Sequence, residues 1–371
     1  MAIDVADAVC RMRSAALLLL VVLLQHASGL AVPAPAATPF SVRFGEKPPA
    51  LSLQAPAKVN LFLRVLQKRE DGFHELASLF QTVSLLDRLD FWEEEPDASQ
   101  PICTMEVSPD SVGRAGIPTD EQNLVMRALA LYAERTGRKQ RVHCRLHKAI
   151  PAQAGMGGGS ADCATALHAA NRLAGSAVPQ STLIEWAGEL GSDIGFFFSR
   201  GSAYCTGRGE QITNIDPLRW ISSSTPVPST PRVYLVKPAA GCSTPLVFRA
   251  MGLSKGEPLA GLQPIDLLAP FEANVRTATY VNDLERPAIQ VLPVIAELKY
   301  ELMKLGLFDA VMMSGSGSTI FCLGEAPLSI DAGGDGPRTW QETIQSKFEG
   351  VQIFEAAFCQ RPEDEALWYG E

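Results

Sequence analysis

The sequence predicts an α+β protein of two domains behind a targeting leader, and three observations carry that reading. A chain of 371 residues has room for two ordinary domains and a leader, taking about 100–200 residues per domain. Segments with the two-residue period of half-buried strands are interspersed with segments of helical period, in the manner of antiparallel strands mixed with helices. The stretch Asp216–Pro231 is rich in Pro, Ser and Thr and reads as a linker. It separates an N-terminal domain over 51–220 from a C-terminal domain over 232–365.

The first fifty residues read as a leader outside the fold. Arg11 and Arg13 precede an apolar run from Ala15 to Leu24, followed by Ala27-Ser28-Gly29, which is the layout of a signal peptide over about 1–29. A spanning helix needs about 20 apolar residues, so a stable membrane span is not expected. From 30 to 50 the chain is transit-like: Leu30–Phe44 is rich in Ala and Pro, contains Arg43 and lacks acids. A signal peptide followed by such a stretch resembles the leaders of plastid proteins in algae with secondary plastids, which implies a plastid location. Secretion is the alternative.

The elements then follow in order. Val59, Leu61, Leu63 and Val65 alternate with Asn60, Phe62 and Arg64, so a strand is expected with Lys58, Asn60, Phe62 and Arg64 on one face. Asp71-Gly72 marks a turn, and Phe80–Phe91 is a second extended stretch. Thr119-Asp120-Glu121-Gln122 reads as a helix opening, with Leu124, Val125, Ala128 and Tyr132 at helical spacing and Gly137 as its end. A strand over Arg141–Lys148 leads to Pro151 and a glycine run. A helix rich in small residues follows from Ser160 to Ala174, and another over Gln180–Leu190. After the linker come a strand at Val233–Val236, a helix over Ala288–Leu305, and strands Ala310–Met313 and Thr319–Leu323 flanking a glycine-serine turn. A second Gly-rich loop is read between Asp331 and Pro337.

A formal net charge of −9 excludes broad nucleic-acid or anionic-membrane binding, which need a basic surface. Small anions remain open, because a few lysines and backbone amides suffice to hold them. The eight cysteines form no C-x-x-C pair and no zinc spacing, so they read as reduced thiols. His143 and His147 fall on the solvent side of their strand and not in a metal site. The sequence leaves the oligomeric state open.

The run Gly155-Met156-Gly157-Gly158-Gly159-Ser160 stands between a strand and an alanine-rich helix. Unpaired amides at a helix N-terminus, together with the helix dipole, bind anions and phosphate above all. A Walker A loop needs G-K-[ST] at its end, whereas Gly159 is followed by Ser160-Ala161. A dinucleotide fingerprint needs glycine at its sixth position, where this chain has Ser160. Asp193, between a Gly-Ser corner and the apolar run Ile194–Phe198, is costly to bury unless it is paired or functional. The residues alone leave open a helix-capping aspartate.

The pattern from Pro151 through Ala154 and the glycines to Ser160-Ala161-Asp162 resembles the phosphate loop of the galactose, homoserine, mevalonate and phosphomevalonate kinase superfamily. Ser314-Gly315-Ser316-Gly317-Ser318 resembles its C-terminal glycine motif, a turn lying against that loop. Ala55-Pro56-Ala57-Lys58-Val59-Asn60-Leu61 resembles its first motif, in the form found in the 4-diphosphocytidyl-2-C-methyl-D-erythritol kinases. Asp71-Gly72-Phe73-His74-Glu75, Gly191-Ser192-Asp193 and Thr206-Gly207-Arg208-Gly209-Glu210 strengthen that likeness, which covers nearly all of Leu51–Phe321 and looks nearest to the plant plastid form.

The resemblance implies an N-terminal ribosomal-S5-like α/β domain, a C-terminal ferredoxin-like α+β domain, and ATP-dependent phosphorylation of a small alcohol bearing a cytidyl diphosphate group. It implies Asp193 as general base with Lys58 beside it, and Asn60, Phe73, His74 and Phe248 around the substrate. On the ATP side it implies Asn123, Lys148, Pro151, Ala154, Gly155, Met156, Gly157, Gly158, Gly159, Ser160 and Ala161, supported by Ser314, Gly315, Ser316 and Gly317. No acidic cluster stands out, so Mg2+ is expected to be held mainly by phosphates and water, with Ser160 placed to meet a phosphate oxygen or the metal. Phe73 replaces the family's more frequent tyrosine, and Gly195 stands where bacterial members usually have proline.

Overall fold

The apolar residues from Leu51 onward form a long strand, β1 (Leu51–Lys68), that turns back at Asp71-Gly72 into β2 (His74–Glu94). Pairing runs from Leu51 opposite Phe91 to Lys68 opposite His74. In the turn, the Asp71 carboxylate accepts the Phe73 N–H at 3.0 Å, and Gly72 supplies a φ of +88°. The computed structural model describes residues 47–219, 232–324, 330–331 and 337–371. The leader before Lys47, most of the expected linker and the Gly-rich loop between Asp331 and Pro337 lie outside the described residues.

The far edge of β2 pairs with two strands in turn. Its C-terminal half meets β4 (Arg141–His147) and its N-terminal half meets β5 (Ser202–Gly207), both antiparallel. β3 (Cys103–Val107) lies parallel to β4, and β6 (Gln211–Asn214) pairs with β5. Helices α1 (Leu124–Thr136), α2 (Gly158–Leu173) and α3 (Gln180–Leu190) join this sheet's core, where Phe91, Leu146, Leu129, Tyr132, Leu167 and Phe196 meet. Every residue of α2 from Ala161 to Asn171 is buried. Its small side chains let neighbouring elements approach it from all sides.

The second sheet has β7 (Arg232–Lys237), β8 (Ala310–Met313), β9 (Ile320–Leu323) and β10 (Gln352–Ala357), in the order β10-β7-β9-β8 with every pair antiparallel. α4 (Thr244–Ala250), α5 (Pro264–Ala273), α6 (Glu285–Val291) and α7 (Val294–Lys304) lie between β7 and β8, and α8 (Trp340–Lys347) lies between β9 and β10. In order of appearance the sheet reads 4-1-3-2 with helical crossovers, the ferredoxin-like βαββαβ arrangement. β1 is shared by the cores: Leu53 packs in the first, Val59 and Leu61 pack with Leu235 and Phe321, and Val65 packs with Tyr234 and Ile320.

Three expectations are corrected. The helix expected from Thr119 begins at Leu124 and is capped by Asn123, whose Oδ1 accepts the Val125 N–H at 2.9 Å. The preceding residues form a turn in which Asp120 Oδ1 accepts the Gln122 N–H. The single helix expected over Ala288–Leu305 is two, α6 and α7, broken at Leu292-Pro293. Proline has no N–H to continue α6 and drives the preceding residue out of the helical region; Leu292 has φ −141° and ψ 86°. Finally, Lys58, Asn60, Phe62 and Arg64 do not share a face. The register shifts between Asn60, opposite Phe80, and Phe62, opposite Leu79, so a β-bulge at Leu61 inverts the alternation. Phe62 turns into the core against Tyr204 and Phe271.

Candidate active site

The chain folds a cleft of about 580 Å³ over the glycine run. β1 contributes Lys58 and Asn60 and, beyond the bulge, Leu63; the N-terminus of α2 contributes Gly157 to Ser160; the corner after α3 contributes Ser192 and Asp193.

The phosphate loop is shaped by close backbone approach. Gly155 has φ +71°, and a Cβ there would stand 2.2 Å from the Ser314 carbonyl oxygen and 2.9 Å from that of Gly317. Gly157 caps α2 with φ +69°, and a Cβ would press on the Lys58 stem at 3.0 Å. The expected contact of the second glycine-serine turn with this loop is present. The Ser314 hydroxyl donates to the Gly155 carbonyl at 3.0 Å, and Thr319 N–H donates to the Ala154 carbonyl at 3.2 Å. Gly315 and Ser316 line the cleft, and Ser316 is joined to Thr244 at 2.7 Å. Gly317 turns the chain behind them, its N–H on the Ser314 carbonyl.

Lys58 is buried, and its ammonium donates to Asn60 Oδ1 at 2.7 Å and to the Gly155 carbonyl at 3.0 Å. It also lies 5.1 Å from the Phe80 ring centroid. Burial lowers its pKa, and the field of Asp193 works against that shift. Asn60 is held in turn by donating to Ser78 Oγ at 2.8 Å, and Ser78 donates to the Phe62 carbonyl at 2.6 Å. Asp193 is half-buried and accepts the Ser160 hydroxyl at 2.8 Å. So Asp193 meets Lys58 through its field, and Ser160 through a hydrogen bond. Gly195 begins the 3₁₀ turn after it; a Cβ there would come within 3.0 Å of Ile212 Cδ1, the end of a flexible side chain, so a side chain at this position asks only a small shift of Ile212.

Asn123, Lys148, Pro151, Ala154, Met156 and the glycines Gly155, Gly157, Gly158 and Gly159 also line the cleft. Ala161 does not: it is wholly buried behind the loop, with its N–H on the Gly157 carbonyl. The Asn123 amide is engaged as the α1 cap and donates to the Pro118 carbonyl at 2.8 Å. The Lys148 ammonium is held between Asp87 and Asp162. Burial raises the pKa of the Asp162 carboxyl, with the Lys148 charge opposing and the Asp87 charge adding. Among the described residues no group of three or more His, Cys, Asp or Glu side chains stands together as a metal site.

Phe248 also lines the cleft, and His74 stacks on it, ring centroids 4.6 Å apart and 27° between planes. Neither Phe73 nor His74 is among the residues that line the cleft: Phe73 is 54% exposed, with the Arg208 guanidinium 5.1 Å from its ring centroid, and Arg208 lines the cleft. Sequence reasoning missed roles for Asp87 and Arg208 and quoted Asp162 only as part of a motif. The signal available was slight: Asp87 follows Leu85 and Leu86, but Arg88 and Asp90 stand beside it in the same strand.

Comparison with known proteins gives the family of the chain. The family described as GHMP kinases N terminal domain matches residues 123–201, and GHMP kinases C terminal matches 269–332. A chloroplastic/chromoplastic 4-diphosphocytidyl-2-C-methyl-D-erythritol kinase of Solanum lycopersicum is 40% identical over 326 residues, 86% of this chain and 73% of its own. A kinase of the same name from Protochlamydia amoebophila is 40% identical over 282 residues, 75% of this chain and 86% of its own. A crystal structure of a 4-(cytidine 5'-diphospho)-2C-methyl-D-erythritol kinase superposes with a TM-score of 0.61 at 32% identity, over 83% of this chain and 99% of that one. A homoserine kinase from Cytophaga hutchinsonii, at 17% identity and a TM-score of 0.57 over 86% of this chain and 98% of its own, shares the fold.

Proposed function

The chain belongs to the 4-diphosphocytidyl-2-C-methyl-D-erythritol kinases of the GHMP kinase family, and on that premise we propose that it transfers the γ-phosphate of ATP to the 2-hydroxyl of that cytidyl alcohol, a step of isoprenoid precursor synthesis. The observation that carries the assignment of roles is the convergence of Lys58, Asn60, Ser160 and Asp193 on one cleft floored by the glycine run.

Phosphoryl transfer asks the protein mainly to position the reactants and stabilise charge. The amides at the start of α2 and the glycine loop receive the phosphates of ATP. Asp193 takes the proton of the acceptor hydroxyl as that oxygen attacks. Lys58, fixed by Asn60 and Gly155, presents its ammonium to the developing charge on the acceptor oxygen. Phe248 and His74 offer a flat surface and a ring nitrogen for the cytosine, and Phe73 stands exposed beside Arg208. Stacking survives the change from tyrosine at position 73, and the phenol hydrogen bond is given up.

Magnesium fits this cleft only with a light protein hand. The residue that would hold it is Ser160, with phosphate oxygens and water supplying the remaining ligands. When bound, the ion neutralises charge on the transferring phosphoryl group.

A plastid location is supported by the leader composition and by plant relatives named as chloroplastic. Residues 1–50 fused to a fluorescent protein should enter plastids; export to the medium would favour the secretory route.

The decisive assay incubates purified protein with ATP and 4-diphosphocytidyl-2-C-methyl-D-erythritol, and ADP and the 2-phosphate should form together. Turnover of mevalonate or homoserine without turnover of the cytidyl alcohol would overturn the substrate assignment.

A further inference from the structure

We propose that Lys148 is a positioning residue for the phosphate loop, a strut clamped between Asp87 and Asp162, and not a ligand of the nucleotide phosphates. The proposal rests on the kinase reading above and concerns how its ATP grip is held.

Lys148 ends the segment that leaves β4, two residues before the loop begins. Its ammonium donates to Asp87 Oδ2 and, at 2.7 Å, to Asp162 Oδ2. The three side chains are 8%, 0% and 4% exposed. Asp87 comes from β2, and its second oxygen accepts the N–H groups of Ala149 at 2.6 Å and Ile150 at 2.9 Å. One carboxylate thus fixes three consecutive residues at the entrance of the loop. Asp162 lies in the first turns of α2, at the loop's exit. The ammonium therefore joins the entrance to the exit, and the amides aimed at the phosphates hang between those two anchors. The lysine nitrogen is packed beneath the helix start: a Cβ on Gly158 would stand 3.0 Å from it and 2.9 Å from Ile150 Cγ2.

The charge count argues against a lysine free to leave. Two buried carboxylates share this one ammonium, and Asp162 Oδ1 finds no hydrogen-bond partner among the described residues. Moving the ammonium onto a phosphate would take a donor from both Asp87 Oδ2 and Asp162 Oδ2 in a buried site, where a polar group left without its partner is costly. A cation already satisfied by two carboxylates gains little from a third anion. In the strut role it keeps both bonds while ATP binds and leaves.

The two roles separate in a mutant cycle on the full-length enzyme, read as KM for ATP, KM for the cytidyl alcohol, kcat and Tm. As a strut, Lys148→Met and Asp162→Ala each raise the ATP KM about fivefold or more. The double variant is then no worse than the poorer single one, while acceptor KM and kcat stay within about twofold. A phosphate ligand predicts otherwise: Lys148→Met raises the ATP KM while Asp162→Ala leaves it unchanged or lowers it. That pattern overturns the proposal, as does an unchanged ATP KM in Lys148→Met. Should either variant fail to fold, Asp87→Asn decides, since one oxygen can still accept the Ala149 and Ile150 N–H groups while the charge that holds the ammonium is gone. The strut expects its ATP KM above that of wild type, and a value at or below wild type overturns the idea. Wild-type enzyme unable to consume ATP would instead remove the kinase reading itself.

Discussion

Ser160 donates its hydroxyl hydrogen to Asp193 at 2.8 Å, so the helix proposed to receive phosphate and the proposed base are joined directly. In the proposed mechanism that bond orients the carboxylate toward the acceptor hydroxyl. Asp193→Asn keeps the size and the hydrogen-bond acceptor and removes the base. It should lower kcat by about 10²–10⁴-fold while calorimetric ATP affinity stays near wild type. Undiminished turnover would refute the assignment. Ser160→Ala frees the carboxylate without neutralising it, and a smaller loss, about tenfold in kcat, is expected.

Two glycines of the loop should fail in different ways. A Cβ on Gly155 would lie 2.2 Å from the Ser314 carbonyl, and its φ of +71° disfavours any other residue. Gly155→Ala should cost on the order of 1–3 kcal/mol of stability and loosen the loop, lowering Tm and raising the ATP KM together. At Gly159 the nearest atom to a built Cβ is Leu124 Cδ1 at 3.9 Å, so the fold tolerates alanine there. That methyl would stand in the cleft, where the phosphates approach the amides. Gly159→Ala should keep the wild-type Tm and still raise the ATP KM. Equal Tm losses in the two variants would contradict this division.

The stacked pair His74 and Phe248 is the proposed platform for the cytosine ring. Stacking of a base on an aromatic side chain is worth about 1–3 kcal/mol, or roughly 5–150-fold in affinity. Phe248→Ala should raise the KM of the cytidyl alcohol within that range and leave the ATP KM alone. Binding of CDP, followed by calorimetry, should weaken in parallel. A rise in the ATP KM instead would move the nucleotide to this platform.

What was legible in the sequence was local. The glycine run, the helix end at Gly137 and the alternation of β4 each follow from a few neighbouring residues, and the structure has them as read. The bulge at Leu61 was not legible, because one extra residue is visible only against the partner strand. The break at Pro293 was written in the chain but overridden by the helical period on both sides of it. Asp87, Lys148 and Asp162 meet across separations of 61 and 14 residues, which no window along the chain reveals. The same holds for the C-terminal residues, which return to the first domain: the Trp368 indole N–H donates to Thr165 on α2 at 3.0 Å.

That return buries a histidine whose titration should be visible in stability. His168, on α2, is 4% exposed and stacks on Trp368 with ring centroids 4.3 Å apart. Its Nε2 finds no hydrogen-bond partner among the described residues. Burial, helped by the charges of Arg361 and Arg172, brings its pKa from 6.5 down to about 3. The folded state therefore keeps this imidazole neutral through a range in which the unfolded chain takes up a proton. The contribution to stability is complete above pH 6.5 and is lost as pH falls from there toward 3. One proton is worth about 1.4 kcal/mol per pH unit, so between pH 6.5 and pH 5 the loss is about 2 kcal/mol. His168→Phe keeps a flat ring against Trp368 and cannot titrate. In urea unfolding at pH 7.5, 6.5 and 5.5, the wild-type midpoint should fall more steeply with acid than that of the variant. Parallel slopes would show that His168 titrates alike in both states, and the stack on Trp368 would then place no electrostatic demand on the fold.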